Sequence, residues 1–190
     1  MKYKALKKNI FSYGEYKIIP IRKKNIESIR LWRNAQMDVL RQKNELSSND
    51  QKEYFNNTIV PLFELSNPKQ LLFGFYKDSI LIGYGGLVHI SWIDKRAEMS
   101  FLLNNSRASN HIQYSKDFES FIELIKNLCF KEMKFNRLFT ETYAFRKFHI
   151  SILEKSGFIK EGQLRDQIYE KNKYYNSILH SILKQEYDKK

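Results

Sequence analysis

The chain is short of three residues that usually shape a fold from outside its core. Among 190 residues there are one Cys, three Pro and seven Gly. A lone Cys129 excludes an internal disulfide. It falls on the apolar stripe of an expected helix, where a cysteine reads as a small core residue and not as a catalytic thiol. No zinc-finger spacing exists, and no metal is expected. With so little proline and glycine there is no Pro/Gly/Ser linker. There is no internal repeat or low-complexity segment either, so one domain over residues 1–190 is expected. No apolar run approaches the roughly 18 residues of a membrane span. The basic start, Met1 to Lys8, leads into neither an apolar core nor a small-residue cleavage site. No signal peptide is expected, and a cytoplasmic location follows as the default.

Acidic residues are also scarce. Lys and Arg number 33 against 21 Asp and Glu, a net charge of +12. The basic residues are scattered, with short clusters at Lys7-Lys8, Arg22-Lys23-Lys24 and Lys189-Lys190. Specific nucleic-acid binding would call for a concentrated patch. A small anionic ligand suits the dispersed charge better.

What the chain does have is apolar and aromatic content, 42% and 15%, enough to bury a core. Periodicity gives a strand over 15–21, then a helix capped by Asn25 and carrying Ile26, Ile29, Trp32 and Arg33. A second helix is expected to start at Asn49-Asp50 and to bend or end at Pro61. A meander follows: 71–76, 80–92 with its Gly83-Tyr84-Gly85-Gly86 interruption, and 96–103. Residues 104–114 read as a polar loop. Ser115 is expected to cap a helix with a stripe from Phe118 to Met133. A strand over 137–143 and a helix over 146–155 come next. Gly157 stops that helix, and Phe158 is placed to fold back onto it. Strands 159–169 and 174–183 close the chain around the turn Lys171-Asn172-Lys173. The fold class is α/β, with mixed α and β layers.

Five local sequences, in this order, resemble those of the GNAT acetyltransferase superfamily, and most of all its RimJ/RimL-like branch and relatives in surface-sugar biosynthesis. They are Leu31-Trp32-Arg33-Asn34, Gly83 to Leu87, Ala97 to Leu103, Leu153 to Phe158, and Glu161-Gly162 with Leu164-Arg165-Asp166. The resemblance implies a GNAT fold: a central, mostly antiparallel sheet with splayed fourth and fifth strands and helices on both faces. It implies acetyl-CoA as co-substrate and a small-molecule primary amine as acceptor. A nucleotide-linked amino sugar is the preferred acceptor, since a diphosphate suits the basic charge. The alternatives are a protein N-terminal amine, or a degenerate, non-catalytic binding module. A monomer or a homodimer is expected.

The site residues follow from this resemblance. Glu98 and Glu141 are the carboxylates able to take a proton from the amine. Each also reads as a solvated strand glutamate or as a partner for Arg96 or Arg137. Tyr143 and His149 are candidates for protonating the leaving thiolate, because Leu153 stands where many relatives have a tyrosine. A backbone N–H at a bulge near Leu102 or Leu103 would stabilise the thioester oxygen. The family's glycine-rich phosphate loop has no counterpart here, as no glycine occurs between Leu87 and Ser156. Side chains such as Arg107, His111 and Lys116 would replace it, and Arg146 stands where relatives have an asparagine that contacts the cofactor arm. Asp117 is expected to set a negative charge against a phosphate. On the acceptor side stand Arg33, Asn34, Arg41, Gln42 and His89.

Overall fold

The computed structural model describes residues 1–189. An N-terminal hairpin that periodicity did not reveal, β1 (Phe11–Tyr13) with β2 (Tyr16–Pro20), turns at Gly14. A 3-10 turn, Lys23–Asn25, leads into α1 (Ile26–Asn34). A second 3-10 turn, Met37–Val39, lies in the crossing to α2 (Ser48–Tyr54). The cap of α2 is Ser47, whose hydroxyl accepts from Asp50 N–H, and not Asn49-Asp50 as expected. The helix does not stop short of Pro61. A π-helical turn, Phe55–Ile59, widens the spiral just before α3 (Val60–Leu62), and Pro61 sits in the first turn of α3.

The meander is β3 (Leu71–Lys77), β4 (Ile80–Ser91) and β5 (Arg96–Leu103). The expected loop at 104–114 is largely helical. Asn104 caps α4 (Asn105–Ala108), and Asn110 caps α5 (His111–Lys126), which starts four residues before Ser115. A π turn, Asn127–Glu132, extends α5 and buries Cys129, whose thiol pKa is pushed up by burial. β6 (Arg137–Tyr143) and α6 (Lys147–Lys155) follow. After α6 the N–H of Phe158 bonds Leu153 C=O and that of Gly157 bonds Glu154 C=O. Gly157 takes φ +92° and Phe158 is buried, a Schellman stop of the kind expected. β7 (Ile159–Glu170), β8 (Lys173–Leu183) and α7 (Lys184–Asp188) complete the chain.

Among the described residues, eight strands form one sheet in the order β1-β2-β3-β4-β5-β6-β8-β7. Every pairing is antiparallel except β5 with β6. That parallel contact ties the N-terminal half of the sheet to the C-terminal half. Phe118, Phe121, Ile122 and Ile125 of α5 are wholly buried on the sheet, with Phe101 stacked on Phe118 at 4.5 Å. Glycine is required in β4, because a Cβ at position 85 would lie 2.1 Å from the Ser100 carbonyl oxygen.

Candidate active site

β5 and β6 pair through only three registers, Arg96 with Arg137, Ala97 with Leu138 and Glu98 with Phe139. Beyond them the strands part, and a wedge-shaped cleft of ≈ 200 Å³ opens between them. With β1 counted, the splayed pair is the fifth and sixth strand. One edge of the wedge is bare backbone. Asn104 N–H donates to Ile82 C=O. Hydrogen-bonded pairs alternate along an antiparallel ladder, so Leu102 and Ser100 bond to β4. Met99 N–H closes the last β5–β6 register on Phe139, so the Met99 C=O and the N–H and C=O groups of Phe101 and Leu103 are the ones turned toward the gap. The Leu103 carbonyl accepts there from Gln36 Nε2 at 2.9 Å.

Leu102 points its N–H at β4, and neither Leu102 nor Leu103 lines the wedge. Met99 and Phe101 do line it. The bulge lies in β4 instead of β5. His89 and Ile90 oppose Ala97 alone, and His89 adopts φ +47°.

That bulge directs His89 at Glu98, with His89 Nδ1 2.6 Å from Glu98 Oε2. Glu98 Oε1 accepts from Arg41 at 3.1 Å, and the same guanidinium nitrogen reaches Glu141 Oε2 at 2.9 Å. Glu141 Oε1 accepts from Ser177 Oγ at 2.7 Å. The two carboxylates thus face each other across the mouth of the wedge and share one cation. Arg137 and Arg96 are not their partners: Arg137 pairs with Glu161, and Arg96 with Asp94.

Deeper in the wedge, Tyr143 is buried and its hydroxyl has no hydrogen-bond partner among the described residues. Burial raises its pKa, which keeps the proton on oxygen. His149 is buried. It stacks on Phe118 at 4.2 Å and lies 2.7 Å from Tyr114 Oη through Nδ1. Burial holds its pKa well below the ordinary value, so the imidazole is neutral.

His149 and Arg146 also line a second cavity, of ≈ 520 Å³, which continues the wedge toward the α5 N-terminus. Arg146 and Lys147 give it positive charge against one carboxylate, Asp38, and the opening N–H groups of a 16-residue helix lie at its edge. Two residues expected here are elsewhere. Arg107 is locked to buried Asp117 by two hydrogen bonds of 2.6 and 2.9 Å. Asp117 also accepts from Tyr16 and Gln113, so its charge is turned inward and does not oppose a phosphate. Lys116 lines a depression on another face, beside Tyr13 and Glu15.

On the acceptor side, Asn34 is turned to the α1–α2 crossing. It accepts from Leu46 N–H and Gln42 and donates to Leu46 C=O, holding the α1–α2 crossing in shape. Gln42 is spent on Asn34 and Arg33. Arg33 borders both the wedge and a larger cavity of ≈ 580 Å³ under α2, and His89 lines that cavity too.

A family model for the acetyltransferase (GNAT) domain matches residues 18–179. The chain belongs to the GNAT acetyltransferase family. Acetyl-CoA is the co-substrate of GNAT enzymes. Over 67 residues the chain is 34% identical to an SPbeta prophage-derived uncharacterized N-acetyltransferase, YokL, of Bacillus subtilis (strain 168). That match spans 35% of this chain and 38% of the relative's own length. In fold the chain is similar to a spermidine N-acetyltransferase from Vibrio cholerae solved with CoA and spermine. The TM-score is 0.81 at 16% identity, over 92% of this chain and 99% of the other. A dodecameric structure of spermidine N-acetyltransferase from the same organism aligns with a TM-score of 0.77, at 16% identity over 92% and 97% of the two chains.

The residues present fit the GNAT co-substrate. The bare β5 edge offers alternating donors and acceptors to an extended amide chain. The basic cavity beyond it offers charge and helix N–H groups to phosphates. Leu153 is wholly buried and does not reach the wedge. Several contributors had no sequence signal. Ser177 and Gln36 are ordinary polar residues until the strands bring them to the cleft, and Lys147 follows Arg146 without any motif.

Proposed function

We propose that this GNAT chain is an N-acetyltransferase that moves an acetyl group from acetyl-CoA to the primary amine of a small molecule. The observation that carries the reading is the wedge itself. A bare strand edge, two carboxylates and an unpaired tyrosine hydroxyl converge where β5 and β6 part.

When bound, acetyl-CoA supplies the thioester whose acetyl group is transferred. Phe101 N–H is aimed into the wedge and suits the thioester oxygen as charge grows on it. Glu98 accepts the amine's proton, and His89, whose side chain is 63% exposed, passes it to solvent. Tyr143 holds a proton in the wedge for the departing sulfur. Arg146, Lys147 and His111 bind the phosphates. Arg41 must leave at least one carboxylate when a cationic amine arrives, since one nitrogen occupies both.

Nothing in the larger cavity marks it for an amino-sugar nucleotide in particular, as its lining mixes apolar walls with scattered polar groups. An anionic group on the acceptor keeps support from Arg33. We also propose a monomer or a homodimer, with the exposed Tyr169 and Tyr174 of the β7–β8 hairpin as the contact in the second case. Light scattering on the eluting protein tests it.

Isothermal titration with CoA and acetyl-CoA, followed by thiol release with an amine panel, tests the function. Binding plus amine-dependent thiol release is expected. No heat at millimolar CoA would remove the reading.

A further inference from the structure

Beside the wedge lies the ≈ 580 Å³ cavity between α1, α2 and the β3–β4 face. Its apolar walls are Ile21, Ile29, Phe55, Ile59, Leu72 and Ile90, and Gln51, Gln70 and Ser100 add polar groups to the lining. The wedge and this cavity share three residues, Arg33, Val88 and Ser100. His89 lines the cavity and its bonded partner Glu98 lines the wedge. A molecule reaching from one to the other passes the Glu98–His89 pair and then Arg33.

Arg33 is half-buried at that junction. It donates to Tyr84 Oη at 2.7 Å and to Gln42 Oε1 at 2.8 Å, both neutral. It pairs with no carboxylate among the described residues. A guanidinium with only neutral partners remains suited to a carboxylate or phosphate. The single carboxylate in the cavity lining, Asp50, is engaged by Ser47 N–H at 2.8 Å. Lys69 adds another positive charge to the lining.

We infer that the acceptor is an amino acid with an apolar side chain: α-amine at Glu98, α-carboxylate on Arg33, side chain in the aliphatic cavity. Arg33 borders both spaces, so the anionic group stands next to the amine and not at the far end of the molecule. A polyamine fits poorly, because its trailing ammonium groups would meet Arg33 and Lys69 with one occupied carboxylate for company. A peptide N-terminus would leave Arg33 without its anion. The amine nitrogen forms a bond to the acetyl carbon as the carbon–sulfur bond breaks. The amine's proton leaves through Glu98 and His89, and the thiolate is protonated from Tyr143 or water, giving an N-acetyl amino acid and CoA.

The inference rests on the acetyltransferase reading, and the test separates the two. CoA binding is measured first by titration. Binding and thiol release are then compared for L-phenylalanine, L-phenylalaninamide and spermidine. L-Phenylalanine is expected to be favoured by about tenfold or more over the other two, the size of one contact to a charged group. Arg33→Gln should erase that preference with CoA affinity unchanged, and Arg33→Lys should restore part of it. Phenylalaninamide or spermidine matching phenylalanine overturns the inference. So does a CoA-binding protein that takes none of the three. Because the wild-type ranking alone decides, a poorly folding Arg33 variant does not blunt the test. Absence of CoA binding, by contrast, overturns the acetyltransferase reading.

Discussion

His89 Nδ1 lies 2.6 Å from Glu98 Oε2, across the one place where β4 carries a residue more than β5. A regular strand would put residue 89 on the wrong side for this contact. The bulge and the positive φ of His89 bring the imidazole over.

From this pair, Glu98→Gln should lower kcat for acetyl transfer by roughly a hundredfold to ten-thousandfold, the usual share of a general base. KM for acetyl-CoA should stay nearly constant. His89→Gln should cost less, because water can replace an exposed relay. Steady-state thiol release on both variants checks this. A Glu98→Gln enzyme with wild-type kcat would remove Glu98 from proton transfer.

Tyr143→Phe should separate stability from activity. The hydroxyl is buried and unpaired, so its removal should leave stability unchanged or raise it by about 1 kcal/mol. Activity should drop if the hydroxyl serves the leaving thiolate. Urea denaturation and single-turnover kinetics on the same preparation measure both. Equal loss of both would mark a packing role.

Arg107→Met should destabilise by about 3–5 kcal/mol, because Asp117 is left as an uncompensated buried charge. Adding Asp117→Asn should recover a large part of that loss. CoA affinity of the folded double variant should match wild type. A phosphate-binding role for Arg107 would instead weaken CoA binding with little change in melting.

His149 predicts a pH dependence of stability. Its folded pKa is depressed by burial. Below the unfolded value of about 6.5 the unfolded chain takes up a proton that the folded one refuses. The stability contributed is fully present above pH ~6.5 and falls with acidification, by at most about 1.4 kcal/mol per pH unit from this group. His149→Gln should flatten the slope between pH ~6.5 and the folded value. Denaturation midpoints across that range measure it, and parallel slopes for the two proteins would show that His149 does not titrate on unfolding.

Local patterns were legible. β5 and β6 run over the residues that alternation marked, 96–103 and 137–143. The Gly157 stop was readable because its geometry is contained in six consecutive residues. The start of α5 was not. Asn110 and Ser115 are both good caps, and the apolar stripe that separates helix from loop begins only at Tyr114. Glu98 and Glu141 were visible as carboxylates on adjacent strands. Their shared cation was not, since Arg41 lies 57 and 100 positions away.

The sequence by itself determined the alternation of elements, the helix stop and the residue types available for acyl transfer, because each depends on near neighbours along the chain. Only the tertiary structure decided which charges cancel. Arg107 and Arg33 are both single arginines near expected site segments. One is neutralised by Asp117 and the other meets only neutral groups. Charge compensation acts through space over a few ångströms, and that spacing exists only once the sheet has closed.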